Sequence, residues 1–326
     1  METAFFELRG ISKYFAKVIA NQEVSFSIQR GEVLALLGEN GAGKSTIMKI
    51  LYGLYKADEG KVFKDGKEIK IDSPKEAMEL GISMIQQHFS LVPAHTVTEN
   101  IILGNVRGRI DYQLFRAEIK KLAELYGFEL NPDDYIRDLA VGVQQKVEIL
   151  KALYQKTNLL IMDEPTAVLT PQEAENLMSF VKDFTARGNS VIFITHKLKE
   201  VMSVADRIIV MRAGKVYGDI KRAETNELEL SKLMIGRDLN RVAKDDRQES
   251  LNQDVRLEIQ QVTLQEKSGV PALKDISLTL HKGEVLGIAG VSGNGQQELC
   301  EIVCGALLPT KERGLLDGED ITEEKA

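Results

Sequence analysis

Residues 38–45 read Gly38-Glu39-Asn40-Gly41-Ala42-Gly43-Lys44-Ser45, the pattern G-x-x-x-x-G-K-[ST]. An apolar run, Val33–Leu37, precedes it and a helical run, Thr46–Tyr52, follows it. That order suits a chain of phosphates. Glycines let the backbone curl until several N–H groups point at one anion. The start of a helix adds the positive end of its dipole. Lys44 contributes a point charge for the β- and γ-phosphates, and the Ser45 hydroxyl contributes a ligand for Mg²⁺. The loop and its first helical residue, Gly38 through Thr46, are therefore the expected phosphate cradle.

Other residues could complete a reaction there. Leu159-Leu160-Ile161-Met162-Asp163-Glu164-Pro165 reads as a buried strand ending in two carboxylates. Asp163 could hold Mg²⁺ through water, and Glu164 could polarise an attacking water as general base. His196 closes a second apolar run, Val191–Thr195, 33 residues after Asp163. A single histidine more often serves structure than catalysis. At the C-terminal end of a parallel strand, however, it would lie where such sheets bind ligands. Leu139-Ala140-Val141-Gly142-Val143-Gln144-Gln145 opens a helix, with Gly142 21 residues before Asp163.

These residues need a scaffold. Apolar runs at Val33–Leu37, Ile82–Ile85, Leu159–Met162, Val191–Thr195 and Ile208–Met211 alternate with helical patterns, so an α/β fold with a mostly parallel sheet is expected. The helix after Thr170 is well marked. Thr170 is an N-cap, Pro171 sits at N1 and Glu173 completes a capping box. Ala174, Leu177, Met178, Val181 and Phe184 form its apolar face, and Gly188 stops it.

The sequence also repeats itself. Residues 276–306 restate residues 24–54, with Gly31, Gly38, Gly43 and Gly53 recurring at Gly283, Gly290, Gly295 and Gly305, and Asp65-Gly66 recurring at Asp317-Gly318. The expected organisation is a first domain over 1–236, a charged linker over 237–254 and a partial, degenerate second copy over 255–326.

Bulk properties exclude several classes. With 326 residues, 43% hydrophobic and 28% charged, the chain has the balance of a folded protein, not of a disordered one. The formal charge of −7 gives no basic surface for nucleic acid, so no nucleic-acid partner is expected. No run approaches 18 apolar residues and the first ten do not form a signal peptide, so no membrane span or export is expected. Cys300 and Cys304 lie four apart in an apolar helical run and read as buried thiols.

The ordered set GENGAGKS, Gln87, LAVGVQQ, LLIMDEP and His196 resembles the nucleotide-binding domains of ABC ATPases, as Walker A, Q-loop, signature, Walker B and H-loop. GISMIQQHFSLVPAHTVTENIILG and DEPTAVLTPQE narrow the likeness to two-domain ATPases of bacterial simple-sugar and nucleoside importers, nearest the nucleoside branch. The resemblance implies an antiparallel N-terminal β subdomain and a helical subdomain beside the parallel sheet, with ATP and Mg²⁺ as cofactors. It implies that Gln87 senses the γ-phosphate and Mg²⁺ and that His196 contacts the γ-phosphate. Ser45, Gln87 and Asp163 form the implied metal set. Phe15, 29 residues before Lys44, takes the place of the adenine-stacking aromatic, with Tyr14 as the alternative. The implied partners are two integral membrane permease subunits and, indirectly, an extracytoplasmic substrate-binding protein, reached from the cytoplasmic face of the bacterial membrane. Nucleotide-binding domains would pair within or between chains. The segment His88–Gly104 and the helices around Gln113–Tyr126 would face the permease.

The chain departs from the family pattern at several points. The signature opens Leu139-Ala140 where the family has Leu-Ser, and Thr170 replaces the D-loop aspartate. In the second loop, Gln296 and Gln297 stand where lysine and the magnesium hydroxyl are expected, and residues 262–271 hold no aromatic for adenine. In head-to-tail pairing the altered signature would meet the altered loop, giving one weak site. The resemblance also implies a truncated form of a longer chain that binds Mg-ATP but turns it over poorly alone. Two other readings remain beside the importer ATPase: a soluble ABC-type ATPase without a permease, and an ATP-binding regulator with little turnover.

Overall fold

The computed structural model describes residues 3–104, 111–236, 254–265, 271–290, 294–309, 311–316 and 319–320. Two compact units divide the chain, Met1–Leu239 and Asn240–Ala326. The expected linker over 237–254 lies outside the described residues apart from Asp254, as does Asp317-Gly318.

The first unit runs β1 (Phe6–Phe15), β2 (Val18–Ile28), β3 (Val33–Leu37), α1 (Lys44–Leu51), β4 (Glu59–Lys64), β5 (Lys67–Ile69), α2 (Pro74–Glu79) and β6 (Ile82–Ile85). It continues with α3 (Val97–Ile102), α4 (Tyr112–Leu125), α5 (Val141–Tyr154), β7 (Leu159–Asp163), α6 (Pro171–Ala186), β8 (Ser190–Thr195), α7 (Leu198–Val204), β9 (Arg207–Arg212), β10 (Lys215–Lys221) and α8 (Glu227–Ile235).

Strands β6, β7, β8, β3 and β9 pair in parallel, and β10 closes one edge antiparallel, in the order β10-β9-β3-β8-β7-β6. Every residue of β3, β6, β7 and β8 is buried, which is why these strands read as unbroken apolar runs with no alternation. A second sheet, β2-β1-β4-β5, is antiparallel throughout. Two apolar clusters share the parallel sheet. One joins Leu34, Leu36, Ile161 and Ile194 to α1 and the antiparallel sheet. The other joins Leu160, Met162 and Phe193 to α3, α4, α5 and α6.

Helix α6 forms as its sequence predicts. Thr170 and Glu173 make a reciprocal capping box, Pro171 opens the helix and Gly188 follows its last turn with φ +87°. Its buried face is Leu177, Met178, Phe180, Val181 and Phe184. Phe180 joins that face because it stacks at 5.7 Å on Phe184, while Ala174 is only half-buried.

The second unit contains β11 (Val255–Gln265), β12 (Pro271–His281), α9 (Gln296–Val303), β13 (Lys311–Leu316) and β14 (Glu319–Asp320). Its antiparallel sheet has the order β12-β11-β13-β14. The cysteine expectation fails here: Cys300 and Cys304 are both exposed. Helix α9 is amphipathic and buries only Leu299 and Ile302, against Ile259, Val262 and Leu273, so the cysteines fall on its other side.

Candidate functional site

Register brings the candidate residues to one edge of the sheet. Leu37 at the end of β3 pairs with Thr195, Asp163 at the end of β7 with Ile194, and Ile85 at the end of β6 with Met162. The phosphate loop, Asp163-Glu164, His196 and Gln87 therefore all leave the sheet at its C-terminal side, where open α/β sheets hold ligands.

Two loop glycines are required by close approach. A Cβ on Gly38 would strike the carbonyl of Met211, and one on Gly43 (φ +94°) would strike the Ala20 carbonyl and the Asn21 amide. Helix α1 starts directly after Gly43 with no side-chain cap. Glu39, Asn40 and Gly41 are exposed, Ala42 and Lys44 are buried, and Ser45 and Thr46 are half-buried. Lys44 Nζ donates to the carbonyls of Gly38 (2.8 Å) and Glu39 (3.0 Å). Burial pulls the Lys44 pKa below its ordinary value, and the nearby Glu164 and Asp163 charges partly offset this. Beneath the loop, the fully buried Asn21 of β2 donates Nδ2 to the Gly43 carbonyl at 3.1 Å.

The carboxylates sit in contrasting surroundings. Asp163 is buried and hydrogen-bonded to Ser45, and burial pushes its carboxyl above the ordinary range despite that bond and the Lys44 charge. Glu164 is held at φ +48°, a left-handed conformation that costs a non-glycine residue roughly 1–3 kcal/mol. Its N–H donates to the Ile194 carbonyl at 2.9 Å, and its Oε1 lies 3.0 Å from His196 Nδ1. An ionised Glu164 accepts a hydrogen from that ring nitrogen. A carboxylate paired with an imidazole and a buried acid bonded to a hydroxyl thus share one edge.

Several supporting contacts were not legible in the sequence. Gln145, the last residue of the signature segment, donates Nε2 to the Pro165 carbonyl at 2.7 Å. One turn later, Glu148 Oε1 accepts from the Ser90 N–H at 2.5 Å, and Lys151 Nζ donates to the Ser90 carbonyl at 3.0 Å. Burial raises the Glu148 pKa. Glu200 of α7 accepts from the hydroxyls of Thr166 (2.6 Å) and Thr195 (3.1 Å). Only Asn21 had a usable sequence signal, since its repeat partner is Leu273.

Other expected residues stand apart. Gln87 is exposed two residues beyond β6, and among the described residues no hydrogen bond joins it to Ser45 or Asp163. Phe15 is 39% exposed at the end of β1, edge-on to Tyr55 at 5.3 Å, so it is not a core aromatic. Tyr14 is equally exposed, and its N–H donates to Asp58. Ala140 is the N-cap of α5 and offers no side-chain cap. A Cβ on buried Gly142 would meet the Glu173 carboxylate, the far end of a flexible side chain.

In the second unit the glycine before the helix recurs with different chemistry after it. Gly295 (φ +91°) precedes α9 as Gly43 precedes α1, and a Cβ there would strike Leu273 and the Ala272 carbonyl. Residues 285–290 take no strand conformation, and Val285 is 96% exposed. Residues 291–293 of that loop lie outside the described residues.

The sequence profile described as ABC transporter matches residues 21–167 and 273–326. Curated relatives include the nucleoside import ATP-binding protein NupA of Lactococcus lactis, 45% identical over 98% of this chain and 63% of that protein. The guanosine import ATP-binding protein NupO of Bacillus subtilis is 42% identical over 92% of this chain and 59% of that protein. The chain thus spans about three fifths of the length of the relatives it matches. Among solved structures, the ATP-binding cassette MJ1267 of an ABC transporter in its ADP conformation is 26% identical, with a TM-score of 0.64 over 72% of this chain and 99% of that one. The cbiO1 cassette of Clostridium perfringens gives a TM-score of 0.61 over 72% of this chain and 97% of that one.

Proposed function

The chain belongs to the ABC transporter family, and from that premise we propose that it binds ATP with Mg²⁺ and hydrolyses it to power import of nucleosides or simple sugars through a membrane permease. The observation that carries the reading is the shared edge of Lys44, Ser45, Asp163, Glu164 and His196.

The chemistry follows from these side chains. Lys44 exchanges its two loop carbonyls for β- and γ-phosphate oxygens, which gives a charge-assisted contact in place of neutral ones. The amides of Gly41–Thr46 and the start of α1 receive the remaining phosphate charge. The oxygen donors Ser45 and Asp163, with Gln87 at the same edge, suit a hard cation that keeps most of its waters. When bound, that Mg²⁺ neutralises charge on the phosphates. Glu164 orients a water toward the γ-phosphate and takes its proton, and His196 keeps the Glu164 carboxylate aimed through the 3.0 Å pairing. Phe15 or Tyr14 offers an exposed ring for the base.

Among the described residues no helix is long and apolar enough to cross a membrane. By its likeness to import ATP-binding proteins, the proposal places the chain against the cytoplasmic face of a membrane, beneath two permease subunits served by an extracytoplasmic binding protein. The nucleoside cargo is favoured because the relatives NupA and NupO are nucleoside and guanosine import proteins. A second reading, ATP binding with little turnover, is favoured by Ala140, which removes the signature hydroxyl.

Titration with a fluorescent ATP analogue and Mg²⁺ tests the proposal. Wild type should bind, and Lys44→Ala should not. Equal affinity of the two would end the reading.

A further inference from the structure

The two residues proposed to activate water leave different strands, and something must keep them in register. Glu164 follows β7 and His196 follows β8. Glu164 is additionally held in a left-handed backbone conformation, which persists only where surrounding contacts over-determine it. The contact to the Ile194 carbonyl is one such restraint and Gln145 to Pro165 is another. A third comes from α7. Glu200 places one carboxylate oxygen on each side of the pair: Oε1 accepts from Thr166 Oγ1 at 2.6 Å, and Oε2 accepts from Thr195 Oγ1 at 3.1 Å. Thr166 is two residues after Glu164 and Thr195 immediately precedes His196, and both are buried. Lys197 closes the arrangement, with Nζ 3.2 Å from Glu200 Oε1 and 3.1 Å from both the Thr166 carbonyl and its hydroxyl. The Lys197 N–H donates to Thr195 Oγ1 at 3.1 Å.

We infer that Glu200 is a positioning residue: its carboxylate clamps the loop after β7 to the loop after β8 through two threonine hydroxyls and so holds Glu164 and His196 together. The inference rests on the ATP-hydrolysis reading for its catalytic meaning, but the clamp itself is a property of the chain without nucleotide. The side chain is only 15% exposed, so water competes poorly for its oxygens. A carboxylate is required here because one group must accept two hydroxyl hydrogens and also face an ammonium, which a neutral amide cannot match.

Hydrogen exchange on the intact, nucleotide-free chain tests the clamp. Glu200→Ala should speed exchange at residues 164–168 and 195–198 by about tenfold or more while residues 38–46 stay within about twofold of wild type. Thr166→Val should loosen only the first segment and Thr195→Val only the second, a separation that a general loss of stability would not produce. In single-turnover hydrolysis with Mg-ATP, Glu200→Ala should be about 10–100-fold slower with nucleotide affinity unchanged. Glu200→Gln, which keeps one acceptor oxygen, should fall between it and wild type. The clamp is overturned if Glu200→Ala leaves both segments protected, if protection is lost evenly across the first unit, or if affinity falls as far as the rate. A wild-type chain that binds no ATP would remove the hydrolysis reading alone, because the exchange pattern would still decide the clamp.

Discussion

The two glycine-rich turns, 252 residues apart, share the conformation of two matched glycines and carry very different chemistry. Gly31 and Gly283 have φ values of +73° and +77°, and Gly43 and Gly295 have +94° and +91°. Each second glycine leads into an eight-residue helix. Yet Lys44 corresponds to Gln296, Ser45 to Gln297 and Asn21 to Leu273 in the repeat. The turn is set by glycines and close backbone approach, whereas anion binding is set by side chains that can change while the turn remains. The preceding apolar run shows a second difference. Val33–Leu37 is a fully buried strand because it pairs with β8 and β9, more than 150 residues away in sequence. Its counterpart at 285–289 has a similar apolar pattern but no strand conformation, since a parallel strand depends on distant partners and not on its own sequence.

Substitutions can move the first region toward the second. Glu164→Gln should have the largest effect, slowing hydrolysis by about 10²–10³-fold with ATP binding intact; an unchanged rate in a phosphate-release assay would show that Glu164 is not the base. Lys44→Gln copies the second loop directly and removes a charge-assisted bond of roughly 1.5–3 kcal/mol, so calorimetry should find affinity reduced by about 10–100-fold. Asn21→Leu copies Leu273 and removes a buried hydrogen bond worth about 1 kcal/mol to the Gly43 carbonyl, so it should lower the melting temperature by about 2–4 °C and weaken ATP binding by about 3–10-fold. Asp163→Asn removes a carboxyl whose ionised form burial disfavours. In the pH window above the unfolded value of 3.8, the folded wild type holds more proton than the unfolded chain, so its stability falls as pH rises. The variant should therefore melt higher than wild type at neutral pH in a thermal scan, with the gain vanishing below pH 3.8. Restoring Gln296→Lys and Gln297→Ser together should change least. Binding stoichiometry should not increase, because residues 285–290 lack the strand that presents such a loop.

The motifs were legible because each is local. Gly38–Ser45, the apolar runs and the Thr170-Pro171-Glu173 start signal need only neighbouring residues to be recognised. Their convergence was legible as well, since parallel strands carry their C-terminal ends to one side. What escaped depends on contacts between elements far apart in sequence. Glu148 meets Ser90 and Glu200 meets Thr166, and nothing in a helical pattern distinguishes these polar residues from solvated ones; Gln145 lay within the recognised Leu139–Gln145 segment, but its bond to Pro165 did not show. The cysteine expectation failed for a related reason. Spacing placed Cys300 and Cys304 on one stripe of a helix, but only packing decides which stripe is inward, and Leu299 and Ile302 occupy that place.

Helix α5 grips two loops from a single turn of its length, Pro165 through Gln145 and Ser90 through Glu148. A rod fastened in this way cannot slide past one loop and leave the other behind. Any force that displaces the segment following Gln87 will therefore tug at the backbone on which Glu164 is mounted.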